Sequence, residues 1–235
     1  MTYFYIVPSS FLKFSIAMQI LFALVSLLVA YFSFKIYKLS RQREIRLFGI
    51  SFFFISLSYI ILAMIHLSIV SPVIIKIAKL TTENISRLGG IAILLHTVIF
   101  ITGLITLVYT TLKLRSTKVY YLLLGLALVT IIIPLIIMVA VYEPAASRSL
   151  YTLIISFRLL SVFILAFVIY NYLEEYARNR NKKTMLIAIS FALLLISNAD
   201  FIFSVTYYQA YIIGNILEFI AYLFILISLV LSIKK

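Results

Sequence analysis

Seven stretches of mostly apolar positions run along the chain, each about 20 residues or longer, enough to cross the hydrocarbon core of a bilayer as a helix. They lie at about 12–34, 47–70, 89–112, 119–142, 150–173, 184–207 and 211–233, leaving about 70 residues for connections and tails. Inside them, polar and small residues recur at helical spacing. The first stretch aligns Ser15, Gln19, Ser26 and Ser33, the second Gly49, Ser56, Tyr59, Ala63 and His66, and the third Gly89, Ala92, His96, Gly103, Thr106 and Thr110. The fifth aligns Tyr151, Arg158 and Ser161, the sixth Ser190, Ser197, Asp200, Ser204 and Tyr207, and the seventh Tyr211, Asn215, Glu218 and Tyr222. The fourth carries only Gly125, Thr130 and Pro134, as a peripheral linker helix would. The pattern predicts an all-α integral membrane protein with a single seven-helix transmembrane domain over residues 1–235.

Composition narrows the chemistry. Hydrophobic residues make up 65% of the chain and charged residues 11%, against roughly half and a quarter in soluble domains. There is no cysteine, which excludes thiolate metal sites, Fe–S clusters and thiol catalysis. The net charge of +13 is first a topological signal, because Lys and Arg collect on the cytoplasmic side. Lys35, Lys38, Arg41, Arg43 and Arg46 follow the first span, Lys113, Arg115 and Lys118 the third, Arg178, Arg180, Lys182 and Lys183 the fifth, and Lys234 and Lys235 the seventh. With alternating spans all of these share one side, while Lys13, Lys76, Lys79, Arg87 and Arg148 fall on the other. The N-terminus is expected outside and the C-terminus in the cytoplasm of a multi-pass cell-membrane protein. The one Asn-x-Ser/Thr sequon, at Asn84, then faces outward. The N-terminus lacks the basic region of a secretory signal, so the first span reads as a retained helix. Tyr residues such as Tyr31, Tyr109, Tyr142 and Tyr211 cluster near span ends as an aromatic belt without Trp. The Ile-, Lys- and Arg-rich usage points to a prokaryotic source.

An offset of 139 positions pairs Tyr37 with Tyr176, Arg41 with Arg180, Leu47 with Leu186, Ile50 with Ile189, Ser51 with Ser190, Phe52 with Phe191 and Ser58 with Ser197. This describes two parallel three-helix units joined by the fourth helix, a 3+1+3 arrangement that transporters use to build a midplane site between their halves. The layout is similar to that of the SWEET sugar carriers and the trimeric cation channels. Arg87-Leu88-Gly89-Gly90 matches the channel signature no further than itself and the sugar carriers' Pro-Gln motif is missing, so neither family is assigned.

Ionisable groups inside spans are costly and therefore informative. The sequence places five there: His66, His96, Arg158, Asp200 and Glu218. All are expected in the outer half of the bilayer, about 6 to 12 Å from the outer ends of their spans. Small residues on the same stripes are ordinary material for helix packing, but the five ionisable groups are not. Arg158 can neutralise one carboxylate in a salt bridge, and Asp200 and Glu218 supply two. The second needs a proton, a bound cation or a protonated histidine. His66 and His96 on consecutive helices could instead ligate a b-type haem, or join the acids around zinc if four helices converge. Retinal is excluded because no Lys lies between Lys183 and Lys234.

No His-Glu-x-x-His, Gly-x-Ser-x-Gly, paired intramembrane aspartates or phosphate-binding glycine loop occurs, so an enzyme acting alone is not expected. The basic cytoplasmic face suits anionic membrane lipid rather than direct nucleic-acid binding. Three functions fit. The first is a transporter or channel for an ion, proton or small polar solute, with Arg158, Asp200, Glu218, Asn215 and Ser197 as its site. The second is a bis-His haem b electron-transfer subunit. The third is a non-catalytic subunit or receptor of a larger import, secretion or signalling complex, or a homo-oligomer.

Overall fold

The computed structural model describes residues 9–71, 82–111, 145–203 and 208–233, together with Gly125. These form six helices: α1 (Ser9–Ser40), α2 (Arg43–Val70), α3 (Thr82–Thr111), α4 (Ala145–Asn179), α5 (Lys182–Phe203) and α6 (Tyr208–Ile233). No strand occurs among the described residues. All six are long and apolar enough to cross a membrane. They coincide with six of the seven expected spans; the stretch at about 119–142 lies outside the described residues, Gly125 apart.

The helices overrun the apolar stretches. The 32 residues of α1 rise about 48 Å, well beyond a core of about 30 Å. The excess carries Lys35 and Lys38, whose long stems keep their charges in the interfacial layer. Two sharp corners end this overrun. Arg41 and Arg180 adopt left-handed φ values of 57° and 48°, and their amides close onto the Tyr37 and Tyr176 carbonyls at 2.8 and 2.7 Å. This is the αL helix stop that glycine usually supplies. Across each corner the next helix begins at once, with Asn181 capping α5 through a 3.0 Å bond from the Lys183 amide.

Packing follows chain order. α1, α2 and α3 are successive neighbours, as are α4, α5 and α6, and the two triplets meet along α1–α6 and α3–α4. Close approach within the first triplet depends on Gly103, where a Cβ would stand 2.8 Å from the Ser51 carbonyl oxygen. The stripes turn inward as expected: every stripe residue on α1, α2 and α3 is buried, while Leu24, Met64, Phe163 and Phe167 face outward. Burial of most of the hydroxyls is tolerable because they bond to helix carbonyls, Thr97 excepted. Ser33 donates to Val29 and Ser161 to Phe157 within their own turns. Ser56 reaches the Ala23 carbonyl of α1, and Ser197 the Gly214 carbonyl of α6, each at 2.8 Å.

The helix ends beside the two corners surround a cavity of about 540 Å³. Every helix contributes to it, through Ile36, Phe48, Thr110, Tyr172, Ile187 and Leu229. Both corners therefore lie at the same end of the bundle.

Candidate functional site

Glu218 is 1% exposed and sits near the middle of α6. Two phenols donate to its Oε1: Tyr59 from α2, in a short bond, and Tyr222 one turn along α6, at 3.2 Å. The Tyr59 bond joins the two triplets. Rings pack around the pair, with Phe22 5.1 Å and Phe100 5.8 Å from the Tyr59 centroid and Phe52 6.3 Å from that of Tyr222. These contacts exclude water and strengthen any charge interaction inside them.

Tyr59 also leans against His96 of α3, with ring centroids 5.0 Å apart. The His96 ring meets the Ser58 backbone carbonyl, while its Nδ1 has no hydrogen-bond partner. Beyond His96 the Phe157 ring, 6.0 Å away, crosses to α4. There Arg158 donates to Asn198 Oδ1 at 2.9 Å and lies over the Phe201 ring at 4.2 Å. The guanidinium is close enough for its charge to act on both Glu218 and His96.

Toward the end away from the corners a second polar chain crosses the α1–α6 seam. Tyr211 donates to Ser15 Oγ at 2.6 Å, Gln19 donates to the same oxygen at 3.0 Å, and His66 Nδ1 meets the Gln19 amide at 3.1 Å. Toward the corner end, Phe48 lines the cavity, stacks 4.8 Å from Phe52, and Phe52 touches Tyr222. A polar chain, a packed aromatic layer and an open vestibule thus succeed one another from end to end.

The expected site is only partly assembled. Arg158 and Glu218 share the interior, but the expected salt bridge is absent: among the described residues Arg158 bonds to Asn198, not to Asp200 or Glu218. The helix explains it, since Asp200 stands two residues, about 200° of rotation, beyond Asn198 and so points away from Arg158. Asp200 is half-buried there. Ser197 serves the α5–α6 contact, and Asn215 donates to its own helix at the Tyr211 carbonyl, 2.7 Å away. The single outer-half layer also divides. Because the helices overrun the spans, His96 and Glu218 fall near helix midpoints, while His66 and Asp200 stand about one turn from helix ends. His96 is level with Tyr59, which lies seven residues, about 10 Å, from His66 along α2. That is not the facing pair of a bis-His haem, and the described residues hold no group of three metal-ligating side chains that would fit zinc. Tyr59 and Tyr222 belong to the polar stripes of the sequence; Asn198 lies off them, although it stands 139 positions after Tyr59.

These features define a multi-pass helical membrane protein with a buried carboxylate between two three-helix units. No family model, no curated protein and no solved structure matches the chain.

Proposed function

We propose that the protein is a cell-membrane transporter for an ion, a proton or a small polar solute, working at the seam between two parallel three-helix repeats. The observation that carries this reading is Glu218, a fully buried carboxylate held jointly by Tyr59 of one unit and Tyr222 of the other. A buried acid without a contacting counter-ion is costly to keep, and a seam between repeats is where transporters keep their sites. The matched corners at Arg41 and Arg180 support the repeat. In this reading the corner end, with its basic residues, faces the cytoplasm, the vestibule is the inner entrance, and the chain from Tyr211 to His66 leads outward. The remaining span, at about 119–142, links the repeats and places the N-terminus outside. The protein needs no catalytic chemistry of its own.

Reconstitution in proteoliposomes tests this, with a pH-sensitive dye and a panel of ions and small solutes. Wild type should dissipate at least one imposed gradient, and Tyr59→Phe, which removes one oxygen from the seam, should slow that flux at least about tenfold, the equivalent of ~1.4 kcal/mol. Impermeability to the whole panel, or unchanged flux in the variant, contradicts the assignment.

A further inference from the structure

A second numerical correspondence links the third helices of the two units. Arg43 at the start of α2 donates to Tyr109 of α3, and Lys183 at the start of α5 donates to the Leu231 carbonyl of α6, so these contacts relate α3 to α6 by 122 positions. This offset places His96 opposite Glu218 and Phe100 opposite Tyr222. His96 and Glu218 thus hold the same place in their units, and both touch Tyr59.

We infer that His96 and Glu218 are two proton-binding positions of one site, bridged by Tyr59, and that the proton is the ion the protein moves. The inference rests on the transporter reading above and names its substrate.

Ligand supply decides between a proton and a metal cation. Calcium takes six to eight oxygens and magnesium near-octahedral coordination. Around Glu218 the bonded oxygens among the described residues are two phenols that already donate to the carboxylate, and the surroundings are aromatic. A proton needs only one lone pair. His96 offers one: with the ring proton on Nε2, Nδ1 keeps a buried lone pair with no partner. Leaving such an atom unpaired is costly, and packing alone gives no return for it. Binding H⁺ converts the Glu218 carboxylate to the acid, or the His96 imidazole to imidazolium, and release restores each with no other reactant. The titratable or charged groups facing this pair are Tyr59 and His66 from α2, Arg158 from α4, and Tyr211 and Tyr222 from α6. α1 presents the neutral Ser15 and Gln19, and α5 the neutral Asn198. The positive charge of Arg158 lies near both positions.

The test is spectroscopic. In lipid vesicles, pH-difference infrared spectra should contain a carboxyl C=O band that disappears in Glu218→Gln and shifts in Tyr59→Phe. With only two histidines in the chain, His66→Gln leaves His96 as the sole ¹⁵N-imidazole signal, and its titration should shift when Glu218→Gln is added. Absence of a pH-dependent band, or a band displaced by Na⁺, K⁺ or Ca²⁺ at fixed pH, overturns the inference. If the tyrosine bond is essential to folding, the wild-type band and its indifference to metal ions still decide. A titrating Glu218 in vesicles that pass nothing refutes the transporter reading and with it the proton as cargo, while transport without titration refutes the proton alone.

Discussion

The two three-helix units share an outline and differ in chemistry. At corresponding places in the first and second units stand Gln19 and Arg158, Tyr59 and Asn198, and His96 and Glu218. Among the described residues the first unit buries only neutral or weakly basic groups, and most of its buried hydroxyls bond to helix carbonyls, Thr97 excepted. Each of its helices buries more than half of its apolar window, whereas those of the second bury less. The second unit holds Arg158, Asp200 and Glu218. A tightly packed neutral half therefore supplies a firm wall, and the charged half lies against it with the tyrosine bond between them. Low-dielectric packing on one side makes the charges on the other effective.

The largest effect on stability should come from adding one methyl group to each wall. Gly103→Ala drives a Cβ against the Ser51 backbone oxygen and Ile55, and a backbone atom cannot swing away. It should destabilise the protein by about 2–3 kcal/mol. Gly214→Ala, whose nearest neighbours stand at 3.4 Å, should be neutral or gain up to about 1 kcal/mol of helix propensity. Unfolding in mild detergent measures both; equal effects would remove the distinction between a tight and a loose unit.

A smaller change in stability with a large one in flux is expected when the second unit is given the residue of the first. Arg158→Gln keeps an amide donor for Asn198 and removes the positive charge near Glu218. Stability should fall by about 1 kcal/mol, while transport should drop at least about tenfold. Wild-type flux in this variant would mean that the charge only serves packing. Smallest of all should be Arg41→Gly and Arg180→Gly, which relieve left-handed strain at the two corners. Each should raise stability by about 0.5–1 kcal/mol, and a clear difference between them would break the equivalence of the corners.

Helix positions were legible because long apolar runs have no other stable form in a bilayer, and the inward faces were legible because Ser, Gly and Thr recur at helical spacing. The helix ends were not. Residues 35–40 and 174–179 are polar enough to read as loops, yet helix continues through them because its backbone bonds to itself and the charges extend into the interface. The partner of Arg158 was hidden as well. Charge counting favours a carboxylate, but rotation along α5 brings Asn198 rather than Asp200 to the guanidinium. The match of His96 with Glu218 escaped self-comparison because the numbering between second and third helices differs in the two units, so one offset cannot align all three.

Glu218 at the seam is the group on which transport depends, and Glu218→Gln tests this most directly. The amide keeps the side-chain shape and can still accept from Tyr59 and Tyr222, but it neither ionises nor takes up a proton. With the unfolding midpoint within a few degrees of wild type, flux in proteoliposomes should fall by a factor of about 100, or ~2.7 kcal/mol. A correctly folded Glu218→Gln protein that transports at the wild-type rate would contradict the assignment of this carboxylate as the working group.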